Sequence, residues 1–184
     1  MRPLPVPIAV PLLAVLIALA LITTAGAVPA GATTTDASSE ELQETIDDVR
    51  SYVSVDDSGT VRFDRAAALA AGEPQEVLDA GARLEQLARS YEAHQNAPDG
   101  PRAYNGIPVW GNWCGPGHGG GTPRDTLDRL CMEHDNCYAA RGYFDCECDA
   151  RLRAGISRSA SSMGTGERAM AAAISVYFTI QPCR

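Results

Sequence analysis

Apolar positions in the first half of the chain recur at helical rather than strand spacing. Residues 40–53 predict an acidic first helix, Asp64 is placed to cap an alanine-rich second helix that Gly72 ends, and a third helix begins at Pro74. The apolar stripe of this third helix consists of Val77, Leu78, Leu84 and Leu87. Only residues 61–63 look like a short extended piece.

The second half of the chain begins with a loop and then predicts three more helices. Residues 96–108 are rich in proline, glycine and asparagine, which is typical of a loop at a domain boundary. Helices are predicted over 124–141, where Gly142 supplies the stop, and over 145–160. A serine- and glycine-rich break separates them from a last apolar helix at 167–180.

The first 32 residues have the pattern of a secretory signal peptide. Arg2 gives a short positive start, an apolar stretch from Val6 to Ile22 follows, and small residues over 25–32 fit a cleavage region. A permanent membrane anchor is the alternative, but the unbroken apolar run of 12–22 is short for a span of about 20 residues. We therefore predict a secreted, extracellular protein.

The chain after this leader divides into two parts of different charge. The polar segment 33–39 predicts a linker. Residues 33–96 carry 14 acidic side chains against five arginines, whereas 97–184 carry nine of each. Because no catalytic constellation is visible in 33–96, we predict an acidic helical prosegment or accessory region there, with a solvated packing module as the alternative. Residues 97–184 form the candidate catalytic domain.

The charge balance also excludes one class of partner. The chain has a formal net charge of −8 and no lysine. A nucleic-acid-binding surface needs clustered basic side chains to neutralise phosphates. We therefore expect no nucleic-acid partner.

All six cysteines lie between Cys114 and Cys183. Behind an export signal they predict a disulfide framework, for which six cysteines allow 15 pairings. Zinc is the competing use of clustered cysteines. Cys146 and Cys148 are spaced more tightly than a CxxC knuckle, and an oxidising compartment disfavours free thiolates. Disulfides are therefore the better prediction.

A glycine-rich loop precedes the helix that carries the candidate chemistry. Six glycines lie within 111–121, and glycine lets backbone carbonyls turn inward toward a hard cation such as calcium. His134 and Asp135 follow on the next helix. Since consecutive helical residues point about 100° apart, the carboxylate can face a loop-bound ion while the imidazole lies beside it.

Asp149 supplies the third element of this constellation. If the helices on either side of Gly142 are antiparallel, Asp149 lies at nearly the same height as His134, and Cys137 is level with Cys148. A lone histidine on a helix is usually structural, but this combination favours function. The predicted fold is all-α: a disulfide-linked antiparallel helix pair with a glycine-rich calcium loop, plus an N-terminal helical segment.

Three stretches of the chain resemble the secreted phospholipase A2 family. They are WCGPGHGGG from Trp113, TPRDTLDRLCMEHDNCY from Thr122 and CECD from Cys146. They look like the family's calcium loop, active-site helix and second-helix CxCD motif. The match covers residues 110–149.

The resemblance implies roles for individual residues. His134 would be the catalytic base and Asp149 its orienting partner, with the Gly115 N–H stabilising an oxyanion. Calcium would be held by Asp135 and by the carbonyls of Trp113, Gly115 and Gly117. The implied disulfides are Cys114 with Cys131, Cys137 with Cys148 and, because the customary partner of Cys146 is missing, Cys146 with Cys183.

The chain departs from the animal pattern of this family in several places. The glycine-rich loop is one residue longer, so the carbonyl of His118 is an alternative third ligand. Leu130 stands in place of a second adjacent cysteine and Gly155 near the position of its partner, which implies that a whole bridge is absent. The connection 138–146 is too short for the usual β-hairpin. Tyr143 is a candidate to replace a tyrosine that supports the aspartate.

The resemblance implies calcium-dependent hydrolysis of the sn-2 ester of glycerophospholipids, releasing lysophospholipid and fatty acid. His134 would take a proton from a water that attacks directly, without a covalent acyl-enzyme. We expect a monomer acting at a phospholipid membrane or micelle surface. Beside the loop, lipid contact and core packing are equal alternatives for Val109, Trp110 and Trp113.

Two other classes of function stay open. A binding module could hold calcium and lipid without turnover, and a disulfide-stapled toxin could carry the His-Asp pair incidentally. A serine hydrolase is disfavoured because the sequence has no GxSxG motif.

Overall fold

The computed structural model describes residues 34–96 and 106–183. The predicted signal peptide and most of the predicted boundary loop lie outside these residues. The described part forms six α-helices and one short antiparallel hairpin, which confirms the all-α prediction. In chain order these elements are α1 (Thr34–Ser51), β1 (Val53–Val55), β2 (Val61–Phe63), α2 (Arg65–Ala71), α3 (Gln75–Gln95), α4 (Thr126–Arg141), α5 (Cys146–Ser159) and α6 (Thr165–Ile180), with a 3₁₀ turn at Ala160–Ser162.

Most helix ends follow from capping chemistry that is visible in the sequence. Asp64 accepts a hydrogen bond from the Ala67 N–H at the start of α2, and Gly72 ends that helix with φ +82°. Asp125 and Asp145 cap α4 and α5 in the same way. None of the described helices is long and apolar enough to cross a membrane.

Two predictions about the N-terminal part were wrong. The segment 33–39 was predicted to be a linker, but α1 begins at Thr34. The first turns of α1 are held by tertiary contact, since the hydroxyls of Ser39 and Ser157 hydrogen-bond at 2.7 Å. Strand β1 lies where the end of the first helix was predicted, because Val53–Val55 pairs with Val61–Phe63.

Helix α6 is the centre of the core. Every residue from Ala169 to Phe178 is buried, which a helix needs neighbours on all sides to achieve. Those neighbours are α1, α3 and α5. Tyr91 of α3 stacks on Tyr177 with ring centroids 4.6 Å apart, and Arg168 donates to Glu76 at 3.3 Å. Helices from the acidic N-terminal part and from the candidate catalytic part therefore share one core.

Three disulfides tie the second half together. They join Cys114 to Cys131, Cys137 to Cys148 and Cys146 to Cys183, which are the pairings that the resemblance implied. The first fixes the loop to α4, the second joins α4 to α5, and the third anchors the chain after α6 to the start of α5.

Leu130 and Gly155 face each other across α4 and α5. A Cβ added at Gly155 would lie 2.7 Å from Leu130 Cδ2. Leu130 is 6% exposed, so an apolar contact fills the place where the family pattern suggests a further bridge.

Gly81 in the middle of α3 allows the hairpin to dock. A Cβ at this position would overlap the buried ring of Phe63. Alanine normally stabilises a helix interior by about 0.5–1 kcal/mol relative to glycine. We expect Gly81→Ala to lower the free energy of unfolding instead, by about 1–3 kcal/mol, because overpacking outweighs helix propensity.

Urea unfolding followed by circular dichroism measures this effect. Gly166→Ala in the first turn of α6 is the matched control, because its nearest neighbours would lie at 3.9 and 4.0 Å. Equal stabilities for the two variants would contradict the docking of Phe63 on α3.

Candidate active site

His134 and Asp149 form a buried hydrogen-bonded pair between α4 and α5. Their Nε2 and Oδ1 atoms lie 2.9 Å apart, and the residues are 6% and 3% exposed. The hydroxyl of Tyr138 donates to the same carboxylate oxygen. Tyr138 lies one helical turn after His134, so both groups reach Asp149 from one face of α4.

The helix pair positions these groups rigidly. Helix α5 presents Asp149 next to Cys148, whose bridge to Cys137 fixes the spacing of α4 and α5. Phe178 of α6 packs edge-on to the His134 ring at 4.9 Å between centroids. Because Nε2 is engaged by Asp149, Nδ1 is the imidazole nitrogen left to accept a proton.

Tyr138 replaces Tyr143 as the tyrosine that supports the aspartate. Tyr143 was the candidate from the sequence, but it is 68% exposed and its ring lies against that of Tyr138, with centroids 5.4 Å apart. Burial and the hydrogen bond to Asp149 raise the pKa of Tyr138 well above its ordinary value. Its hydroxyl therefore stays protonated and acts as a donor.

The glycine-rich loop lies against the segment 107–110. The Ile107 N–H donates to the Pro116 carbonyl at 3.1 Å, and the N–H groups of Val109 and Trp110 donate to the Cys114 carbonyl at 2.9 and 3.2 Å. These bonds use the carbonyls of the even-numbered residues 114 and 116. Of the predicted calcium ligands, the Gly115 carbonyl also accepts a hydrogen bond, from the His118 N–H at 3.2 Å.

Asp128 anchors both ends of this loop. It is fully buried in α4 and accepts hydrogen bonds from the backbone N–H groups of Asn112, Trp113 and Arg124 at 2.7–2.9 Å. A Cβ at Gly111 would overlap its carboxylate. The sequence interpretation missed this residue. Its position could have indicated a role, because Asp128 follows the Asp125 cap by three residues and lies on the same helix face as Cys131.

Asp135 is a carboxylate without an ion-pair partner in the part of the chain that the structure describes. It is partly buried next to the loop, and none of the ion pairs among the described residues includes it. Burial, with a smaller effect of the Asp128 charge, raises its pKa to about 7. A desolvated carboxylate of this kind is stabilised in its charged form by a bound cation.

A cation at this site would depend on backbone oxygens. In the described ranges, no cluster of three or more histidine, cysteine, aspartate or glutamate side chains is arranged to hold a metal. Calcium accepts backbone carbonyls alongside a carboxylate. The donor set of one aspartate and a glycine-rich loop therefore fits calcium better than zinc.

The loop turns sharply between Gly117 and Gly119. Gly117 has φ +66°, and its carbonyl oxygen lies directly against Gly106. By contrast, a Cβ at Gly119 would lie 3.4 Å from Oδ2 of Asp135. The part of the loop that approaches Asp135 is therefore Gly119, whereas the Gly117 carbonyl is turned toward Gly106.

The aromatic residues beside the loop are partly buried against the core. The Trp110 indole donates to Asp125 at 2.9 Å, and the Arg83 guanidinium lies 5.5 Å from the centre of the Trp110 ring. The Trp113 indole donates to the Gly121 carbonyl at 3.0 Å. Both indoles therefore take part in packing, and Trp113 also lines the site cavity.

A cavity of about 20 Å³ lies between the loop, His134 and α6. This volume is enough for one water molecule. Leu87 and Tyr91 of α3 form part of its wall, although no site residue was predicted in the N-terminal part. Leu87 belongs to the predicted apolar stripe, and Tyr91 extends the stripe by one turn.

Comparison with known proteins gives short but specific matches. Over 33 residues the chain is 64% identical to an acidic phospholipase A2 from Austrelaps superbus. Over 46 residues it is 48% identical to a phospholipase A2 from Scolopendra dehaani. It is also 61% identical over 33 residues to the acidic phospholipase A2 homolog taipoxin gamma chain from Oxyuranus scutellatus scutellatus.

The chain is similar to the phospholipases A2. The matched segments cover 18–25% of this chain and 21–29% of the length of these phospholipase A2 relatives. No family model matches the chain. No solved structure matches it.

Asp128 provides the first test of the site. Asp128→Asn keeps the shape of the side chain but removes the charge that three loop N–H groups share. We expect the free energy of unfolding to fall by about 2–3 kcal/mol, since hydrogen bonds to a buried charge are lost, and calcium binding to weaken.

Chemical denaturation and calcium titration measure the two effects. The exposed Asp57 of the hairpin turn offers a control, Asp57→Asn, that removes a carboxylate elsewhere. A stable Asp128→Asn variant with unchanged calcium affinity would show that the loop does not depend on this anchor.

Proposed function

We propose that the protein is a secreted, calcium-dependent phospholipase A2 that hydrolyses the sn-2 ester of glycerophospholipids. The observation that carries the proposal is the buried His134–Asp149 pair, placed beside an uncompensated Asp135 carboxylate and a water-sized cavity. The similarity to phospholipases A2 agrees with this arrangement.

His134 is the general base. A water in the cavity gives one proton to Nδ1 as its oxygen attacks the sn-2 carbonyl carbon. Asp149, bonded to Nε2, fixes the tautomer and stabilises the imidazolium that forms. When the tetrahedral centre collapses, the carbon–oxygen bond to the glycerol breaks and the same proton passes from Nδ1 to the departing oxygen. The products are a fatty acid and a lysophospholipid.

Asp135 and the loop carbonyls are the residues that would hold calcium. When bound, the ion supplies positive charge for the developing oxyanion and for the lipid phosphate. The carbonyls of Trp113 and Gly115 are retained from the sequence prediction. For the third carbonyl we prefer His118 to Gly117, because the Gly117 oxygen lies against Gly106. The Gly115 N–H is the proposed backbone donor to the oxyanion.

The acyl chain of a lipid requires more room than the cavity offers. Pockets for small molecules measure about 300–1,000 Å³, against about 20 Å³ here. Leu87 and Tyr91 of α3 and Ile174 and Phe178 of α6 form an apolar wall that can accept the chain if these side chains rotate. The protein acts as a monomer at the surface of a phospholipid membrane or micelle.

Fatty-acid release from mixed phosphatidylcholine–phosphatidylglycerol vesicles tests the proposal. We expect wild-type protein to release fatty acid with calcium and not with a chelator. His134→Ala is expected to lose at least about 100-fold in rate, because general base catalysis contributes about 10²–10⁴-fold. Asp135→Asn is expected to lose the response to calcium.

Asp57→Asn controls for loss of an exposed carboxylate and should leave the rate unchanged. If well-folded wild-type protein released no fatty acid, that result would contradict the proposed phospholipase activity. If that protein still bound calcium and vesicles, the non-catalytic binding module would take its place.

Tyr138, which bonds Asp149, and Tyr143, whose ring lies against Tyr138, form a matched pair for substitution. Tyr138→Phe removes one hydrogen bond to the carboxylate. Such a bond contributes about 0.5–1.5 kcal/mol, so we expect kcat to fall about 2- to 10-fold. Tyr143→Phe removes a hydroxyl from an exposed side chain and should not change kcat. Initial rates at saturating lipid measure both, and equal rates for the two variants would contradict the support of Asp149 by Tyr138.

A further inference from the structure

His94 is a buried histidine outside the His134 site. It lies in the last turn of α3 and is 7% exposed. Its Nδ1 has no hydrogen-bond partner among the described residues, a property shared in these ranges only by the hydroxyl of Ser175. A buried polar atom without a partner costs about 1–3 kcal/mol, and such an atom in a folded protein calls for an explanation.

The imidazole of His94 lies against the turn of the glycine-rich loop. A Cβ at Gly117 would lie 2.6 Å from Cε1 and 3.1 Å from Nε2 of this ring. Gly117 is thus enclosed by His94 on one side and by Gly106, which touches its carbonyl, on the other. Because the ring and the turn are in contact, a shift of the ring would displace the turn that leads to Gly119, next to Asp135.

Helix α3, which carries His94, is itself held in place by contacts with α6 and with Trp110. Tyr91, one turn earlier, is stacked on Tyr177 of α6. Arg83 lies over the ring of Trp110, directly before the loop. Helix α3 therefore holds the loop at two points, through Trp110 at its start and through Gly117 at its turn.

We infer that His94 is a positioning residue for the calcium loop. Its ring sets the turn at Gly117, and its Nδ1 accepts a hydrogen bond from a loop backbone N–H when calcium is bound. A leucine or phenylalanine would fill the same space without the cost of an unpaired nitrogen, so packing alone does not account for histidine here. This inference rests on the proposed calcium-dependent function.

Calcium titration of His94→Leu by isothermal calorimetry is the test. We expect the dissociation constant for calcium to rise about 10- to 100-fold, as for other residues that orient metal ligands. The unfolding temperature without calcium should equal or exceed that of the wild type, since an unpaired buried nitrogen is removed. His94→Asn keeps a polar atom near the position of Nδ1 and should restore most of the affinity.

A control variant and a spectroscopic signal separate positioning from packing. Ser90→Ala changes the buried face of α3 one turn earlier, where the hydroxyl bonds only the Gln86 carbonyl of its own helix, and should leave calcium affinity unchanged. In ¹⁵N-histidine NMR spectra, the Nδ1 resonance of His94 should shift on addition of calcium.

Three results would overturn the inference. Equal calcium affinity in His94→Leu and wild type would leave His94 as a packing residue while the proposed function stands. Loss of affinity together with a lower unfolding temperature in calcium-free His94→Leu would show a structural role only. Absence of calcium binding by the wild type itself would overturn the calcium-dependent function and this inference with it.

Discussion

The buried carboxylate of Asp149 is the interaction on which the rest of the site depends. A charge without water is costly unless hydrogen bonds compensate it, and here His134 and Tyr138 do so from one face of α4. Both bonds require α4 and α5 to lie side by side in a single register. The Cys137–Cys148 bridge sets that register, and α6 closes the site from the core through Phe178.

Three aspartates of α4 and α5 differ in the hydrogen bonds that they accept, and the difference supports separate roles in the proposed mechanism. Asp149 accepts hydrogen bonds from the side chains of His134 and Tyr138. Asp128 is bonded by backbone N–H groups and shapes the loop. Among the described residues, Asp135 has neither kind of bond, and burial raises its pKa to about 7. Of the three, Asp135 is therefore the carboxylate to which the proposed function assigns a cation.

The sequence predicted those features that depend on local chemistry or on helix geometry. Asp64 and Asp145 marked the starts of α2 and α5, and the rise per residue placed Asp149 level with His134. Features that depend on tertiary contact were missed. These features are strand β1, the anchoring role of Asp128 and the contribution of α3 to the cavity. Each depends on which surfaces meet in the folded protein, and the pattern of a single sequence does not contain that information.

Hydrolysis of a phosphatidylcholine with different acyl chains at its two positions tests the central claim most directly. With palmitate at sn-1 and oleate at sn-2, mass spectrometry of the products identifies the bond that is cleaved. The account predicts release of oleate and palmitoyl-lysophosphatidylcholine, only with calcium present and only with His134 intact. Release of palmitate, release without calcium, or release by His134→Ala at the wild-type rate would contradict it.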